Sequence, residues 1–168
     1  ILEIKNLKLN KIIKINIKKK KNLGSDRIAN AIGAKKFKNC LIIDFGTATT
    51  FDVIKNGIYD GGVIAPGVNL SIKNLSESTA LLPIINLKNH QKSYGKNTNE
   101  AINAGFVWGY EGLINNIIDK IISKSKIKYK ILLTGGYANF FKKMIKKKVL
   151  IDQDITIKGI ANAYKELV

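Results

Sequence analysis

The sequence predicts an α/β fold in which helices flank a mixed sheet. Three observations point there. Residues 40–65 read as three strands in succession, near 40–45, 48–55 and 58–65, and Asn56-Gly57 between the last two favours the two-residue turn of an antiparallel hairpin. The rest of the chain alternates helical periodicity with short apolar runs. The 168 residues are 45% hydrophobic, enough for one core of ordinary size. From residue 40 the element order is β-β-β-α-α-β-α-β-α, and an antiparallel meander followed by strand–helix units folds as a mixed, helix-flanked sheet.

Each element has its own signal. Residues 1–17 alternate loosely between apolar and Lys/Asn positions and predict short strands, followed by a solvated loop at Lys18–Lys21. Ser25–Ala34 predicts a short helix capped by Ser25, with Ile28, Ala31 and Ile32 on one face. Gly61, Gly62, Pro66 and Gly67 break the third strand, and a helix follows near 68–78 with Leu70 and Leu75 inward. Pro83 ends this region and residues 84–97 read as a loop. Thr98–Ile122 is the strongest helix, capped by Thr98, with an apolar stripe through Ala101, Ile102, Gly105, Phe106, Gly109, Leu113, Ile117 and Ile121. Phe106, Trp108 and Tyr110 on it read as core or dimer contacts. A strand at Ile131–Leu133 runs through Thr134-Gly135-Gly136 into a helix near 137–147, and a strand near 148–151 and a helix near 156–167 complete the order.

The formal net charge is +17. This is the footprint of a nucleic-acid or anionic-membrane binder, or else of compositional bias. Only Arg27 among the 29 basic residues is arginine, while Ile, Lys and Asn number 29, 28 and 18, a composition that fits an AT-rich genome. Arginine is the residue for bidentate phosphate and base contacts, so bias is the better reading and no specific nucleic-acid partner is expected. Cys40 and His90 are each alone, which excludes an intrachain disulfide and a Cys/His zinc site. Cys40 lies in an apolar strand and reads as packing, and His90 as a loop residue. No apolar run approaches the roughly 18 residues of a membrane helix and no signal peptide is visible, so a cytoplasmic protein without membrane contact is expected.

The chemistry concentrates in residues 40–54, where two apolar strands meet at a turn holding Asp44, Gly46, Thr47, Thr49 and Thr50. Gly46 lets backbone N–H groups approach an anion, the Thr47 and Thr49 hydroxyls can donate to phosphate oxygens, and Asp44 can hold a cation. The strand–Gly–helix junction at Thr134-Gly135-Gly136 aims further N–H groups at an anion or polar ligand.

These motifs occur in a recognisable order. Gly24-Ser25-Asp26-Arg27 with Ala29-Asn30-Ala31, then Asp44-Phe45-Gly46-Thr47-Ala48-Thr49-Thr50, resemble the substrate and second phosphate motifs of type III pantothenate kinases. Gly61-Gly62 to Pro66-Gly67, Leu70-Ser71, Thr79-Ala80, Leu82-Pro83, Gly95-Lys96-Asn97-Thr98 with Glu100-Ala101, and Thr134-Gly135-Gly136-Tyr137-Ala138 are similar to the family's further signatures, so the resemblance spans residues 24–160. It implies the ribonuclease-H-like half-domain of the actin-like superfamily, ATP-dependent phosphorylation of pantothenate at the start of coenzyme A synthesis, Mg2+ delivered with ATP, a monovalent cation (K+ or NH4+), and a homodimer. It implies Asp26 as general base, or else a helix N-terminal carboxylate. Gly24, Ser25, Asp26, Arg27 and Thr98 would bind substrate, with a structural salt bridge as the alternative for Arg27 and helix capping for Thr98. Asp44 would hold the monovalent cation. Gly46, Thr47, Gly135 and Gly136 would bind ATP, with plain turns as the alternative for both loops.

The chain also departs from the pattern. Family members are longer and begin with a strand carrying Asp-x-Gly-Asn-Thr, which is not present here, and the chain starts at Ile1 rather than Met. The expected organisation is therefore a remnant of the N-terminal actin-like half at 1–34, including the substrate motif, and a complete C-terminal half at 35–168. The alternative function is a catalytically impaired family member acting as a ligand-binding or regulatory protein.

Overall fold

A computed structural model describes residues 4, 7, 9–88, 93–123 and 125–166. The elements are β1 (Lys14–Ile15), α1 (Ser25–Gly33), β2 (Cys40–Phe45), β3 (Ala48–Lys55), β4 (Ile58–Pro66), α2 (Val68–Glu77), α3 (Thr98–Ser123), β5 (Lys130–Gly135), α4 (Ala138–Phe141), β6 (Val149–Ile151) and α5 (Ile155–Lys165). The strands form a six-stranded sheet in the order β1-β4-β3-β2-β5-β6. β2, β3 and β4 pair antiparallel, whereas β1–β4, β2–β5 and β5–β6 are parallel. The mixed sheet is thus as the sequence predicts, and Asn56 and Gly57 both take positive φ (53° and 75°) in the β3–β4 turn.

Alternation along β2 divides the core. Cys40 and Ile42 point to one face and pack with Ile28, Ala31 and Ile32 of α1 and Ile155 and Ala163 of α5. Leu41, Ile43 and Phe45 point to the other and pack with Val68 and Ile72 of α2, Tyr110, Ile114 and Ile118 of α3, and Phe141 after β5. Phe141 anchors this second layer, its ring 5.5 Å from that of Phe45 and 6.0 Å from that of Tyr110. The packing crosses the expected 34/35 boundary, since β1 joins the same sheet and α1 shares its core with α5.

Several local expectations are corrected. Between residues 9 and 17 there is a single two-residue strand preceded by a 3-10 turn at Leu9–Lys11, because Ile12, Ile13 and Ile15 are all buried and adjacent burial of Ile12 and Ile13 breaks strand alternation. Ser25 is the first helical residue of α1; Gly24 is the cap and offers no side chain. In α2 the inward residues are Val68 and Ile72, while Leu70 is 40% exposed. The α3 cap is Asn97, whose Oδ1 accepts from the Glu100 N–H at 3.0 Å while Glu100 accepts from the Lys96 N–H at 2.9 Å. The face of α3 on the sheet runs through Ile102, Val107, Tyr110, Ile114 and Ile118; the small residues Ala101, Gly105 and Gly109 are exposed. This helix is apolar nearly all round, so periodicity alone offers two candidate faces. The helix expected at 137–147 is one short α-turn and a 3-10 turn at Lys142–Met144, ending where Lys146–Lys148 cannot be buried.

Backbones of α1 and α5 touch. A Cβ at Gly159 would lie 1.8 Å from the Ala29 carbonyl oxygen, and one at Gly33 would lie 2.1 Å from that of Ile155. Gly159→Ala is expected to destabilise the chain by about 2 kcal/mol through overpacking. Gly105→Ala, in open space on α3, is expected to be neutral or to stabilise by up to about 1 kcal/mol. Urea unfolding of the two variants checks the contrast; equal effects would argue against the close helix contact.

Candidate active site

The site is built at the N-terminus of α1 and the adjoining ends of β2, β3 and β5. At α1 the chain turns in through Gly24, where a Cβ would stand 2.4 Å from Asp26 Oδ1. The missing side chain thus makes room for the Asp26 carboxylate, which is exposed in the first turn of the helix. The next helical turn carries Asn30, fully buried, whose Nδ2 donates to Asp44 Oδ2 at 2.8 Å. Thr156 at the start of α5 donates its hydroxyl to Asn30 Oδ1 at 2.6 Å, which orients the amide. Asp44 is therefore held by a relay through α1 to α5.

Asp44 ends β2 opposite Thr50 of β3 and Thr134 of β5. Burial pushes its carboxyl above the ordinary 3.8, the Asn30 hydrogen bond opposes this, and the nearby charge of Asp26 adds to the rise. Its Oδ1 faces the β5 end, where Gly135 (φ 85°) leaves space: a Cβ there would be 2.7 Å from that oxygen. No donor among the described residues reaches this oxygen, and an oxygen so placed in a glycine-lined recess fits a cation. Among the described residues no group of three or more His, Cys, Asp or Glu gathers as a metal cluster.

The β2–β3 turn exposes Gly46 and Thr47. The Gly46 and Gly136 N–H groups donate to the carbonyls of Ala48 and Phe45, both at 3.1 Å, so these two amides brace the loops instead of pointing at an anion. Thr49 is fully buried on the Phe45 face, which removes it from any phosphate surface. Tyr137 donates its hydroxyl to Asn69 Oδ1, tying the β5–α4 junction to the first turn of α2.

Arg27 turns inward from α1. Its Nε and Nη2 both reach Asp52 Oδ1 at 2.7 Å, and Tyr59 donates to the same oxygen at 2.7 Å. Asp52 is fully buried, and burial pushes its carboxyl up while the Arg27 guanidinium pulls it down. Asn30, Asp52, Tyr59 and Thr156 were not among the expected site residues. The available signal was a charged residue in an apolar strand, two positions from Thr50, with a single arginine in the chain to pair with it.

Thr98 lies elsewhere. It opens α3 on the opposite face of the sheet and lines a groove of about 970 Å3 with Leu75, Leu82, Ala101, Gly105 and Phe106. The floor is fixed by Tyr110, which accepts from Ser71 at 2.8 Å and donates to the Pro66 carbonyl at 3.2 Å. Cys40 is buried with its thiol pushed up to about 12 by burial, in keeping with packing rather than reactivity. His90 lies outside the described residues. Among the described residues no helix is long and apolar enough to cross a membrane.

Because the folded chain holds the Asp44 proton to higher pH than the unfolded chain, this group's contribution is full below pH 3.8 and is lost as pH rises through the folded value. In potassium-free buffer, Asp44→Asn is expected to melt above the parent chain at pH 7, with the two curves converging as pH falls toward 3.8. Thermal melts across pH test this, and a folded variant that melts lower at pH 7 would count against the buried-charge account.

The family model for type III pantothenate kinase matches residues 1–120. A type III pantothenate kinase of Pelagibacter ubique (strain HTCC1062) is 52% identical over 96% of this chain and 65% of the relative. Those of Ruegeria sp. (strain TM1040) and Persephonella marina (strain DSM 14350 / EX-H1) are 40% and 39% identical over 85% and 90% of this chain, covering 56% and 61% of the relatives. The chain thus spans less than two thirds of the length of these relatives. Among solved structures, a protein described as a Baf family transcriptional activator from Campylobacter jejuni aligns with TM-score 0.69 and 25% identity over 93% of this chain and 69% of that one. The ethanolamine utilization protein EutJ from Carboxydothermus hydrogenoformans aligns with TM-score 0.51 at 16% identity over 82% of this chain and 53% of that one, a likeness of fold alone. With the mixed sheet and its flanking helices this places the chain in the actin-like fold. The family match over residues 1–120 and the relatives above show that the chain belongs to the type III pantothenate kinase family.

Proposed function

We propose that the chain carries the substrate-facing and phosphate-facing wall of a pantothenate kinase, which transfers the ATP γ-phosphoryl group to the primary hydroxyl of pantothenate to give 4'-phosphopantothenate, the first step toward coenzyme A. The carrying observation is that Asn30, one helical turn after Asp26 on α1, donates to Asp44 Oδ2 at 2.8 Å and so brings the Asp26 turn to the end of β2, where the Thr47 turn follows. In this reading residues 1–34 are the tail of the first actin-like half and 35–168 the second half, built here into one sheet.

The chemistry assigned to these residues is positioning and charge management. The substrate hydroxyl oxygen attacks the γ-phosphorus, ADP leaves, and the hydroxyl proton passes to the Asp26 carboxylate. Gly24 and Ser25 shape the approach to Asp26, and Arg27 holds the substrate. Thr47, with Gly46, Gly135 and Gly136, borders the nucleotide. Asp44 Oδ1, which takes no donor among the described residues beside Gly135, would hold K+ or NH4+, which supplies positive charge next to the phosphates when bound. Mg2+ is expected to arrive with ATP, since Mg2+ commonly binds through substrate phosphates and few carboxylates. A cytoplasmic homodimer accords with this reading, and the apolar groove beside α3 offers a surface for a second copy.

A coupled assay with ATP, pantothenate and K+ tests the activity. Asp26→Asn is expected to lower kcat by about 100-fold or more with little change in pantothenate KM, and wild-type turnover would remove the base assignment. Calorimetry showing that ATP and pantothenate bind without turnover would favour a ligand-binding or regulatory role. K+ is expected to raise the melting temperature of the parent chain but not of Asp44→Asn; equal shifts would remove the cation assignment.

A further inference from the structure

The sole arginine of the chain is held in an arranged pose. Nε and Nη2 of Arg27 converge on one oxygen of Asp52, so the guanidinium lies side-on and its Nη1 edge faces away from the carboxylate. Nη1 makes no hydrogen bond or ion pair among the described residues, and the side chain keeps 13% exposure. Three further features fix this pose. Tyr59 donates to the same Asp52 oxygen, and its ring lies 5.9 Å under the guanidinium carbon. Asp52 is paired in the sheet with Ile42 on one side and Gly62 on the other. A Cβ at Gly62 would lie 2.6 Å from Arg27 Nη2, so the guanidinium occupies the space that glycine leaves.

Docking of α1 does not rest on this pair alone. The helix is also fixed by Asn30 on Asp44 and by the glycine contacts with α5. A buried ion pair is also a weak way to stabilise a fold, because well-packed apolar residues do as well. What the pair does supply is direction: a planar donor fork locked at one edge and open at the other, one residue from Asp26.

We propose that Asp52, supported by Tyr59 and Gly62, is a positioning residue of the substrate site that aims the Nη1 edge of Arg27 at an anionic or polar group of the alcohol substrate, setting substrate affinity without touching the substrate. This rests on the reading of Arg27 as a pantothenate contact. Burial raises the Asp52 carboxyl and Arg27 lowers it, so the two are poised as a mutually dependent pair.

Titration calorimetry on the full chain, with pantothenate and ATP as separate probes, tests this. Arg27→Gln and Asp52→Asn are each expected to weaken pantothenate by about tenfold or more, and Tyr59→Phe by about fourfold, following the loss of charged and neutral hydrogen bonds. ATP affinity is expected to stay within about twofold, because Asp52 lies along β3 opposite Ile42, away from the Gly46-Thr47 turn. If Arg27→Gln leaves pantothenate binding unchanged, the substrate reading of Arg27 falls and this inference with it. If Arg27→Gln weakens binding but folded Asp52→Asn does not, the positioning role alone is overturned. Parallel weakening of ATP and pantothenate by Asp52→Asn reveals general loosening and overturns it too. Should Asp52→Asn fail to fold, Tyr59→Phe decides: a folded variant with unchanged pantothenate affinity refutes the proposal.

Discussion

Two carboxylates on one face of the sheet hold a single helix. Asp44 on β2 takes Asn30, and Asp52 on β3 takes Arg27, three residues earlier on α1. Residues three apart lie on the same side of a helix, so both ties act from one face and fix rotation as well as position. Asp26 has no such tie and stands exposed at the free end. Its placement is inherited from the two residues that are anchored. Charges taken out of water cost several kcal/mol unless partnered, and here α1 supplies a partner to each carboxylate, with Tyr59 of β4 adding a second to Asp52.

The same helix is pressed from behind by α5. Gly33 and Gly159 let the two backbones meet, and Thr156 reaches through to Asn30. A chain of contacts therefore runs from the end of the sequence to Asp44. The opposite layer is built differently: Phe45, Tyr110 and Phe141 pack as stacked and tilted rings. The polar layer carries the candidate chemistry, and the aromatic layer gives it a stiff backing.

Much of the fold was legible because local and tertiary preferences agree. The meander from Cys40 to Pro66 combines alternation with a turn whose residues tolerate positive φ. Where tertiary packing had to choose between equal options, the sequence was ambiguous. α3 is apolar around most of its circumference, and the face presented to the sheet was decided by Tyr110, Ile114 and Ile118 meeting Phe141 and β5 rather than by periodicity. The caps shifted by one residue because Gly24 and Asn97 suit extended backbone ahead of a helix as well as the Ser and Thr that follow them. The motif positions Asp26, Asp44 and Thr47 could be given roles from the sequence, but the pairings of Asn30 with Asp44 and of Asp52 with Arg27 could not, because they join strands and a helix distant in sequence.

The pairing of Arg27 with Asp52 also says something about how far the chain's composition can drift. Lysine fills 28 of the 29 basic positions, so nearly every cation here has been met by an ammonium. An ammonium is a compact point charge that cannot lie flat over a ring and span one carboxylate oxygen with two coplanar donors. Among Tyr59, Asp52 and Gly62 the guanidinium reaches one acceptor oxygen with two donors, its carbon 5.9 Å from the ring centre. Shape, rather than charge, thus sets the limit on interchange, and position 27 is where this chain's preference for lysine meets a stereochemical boundary.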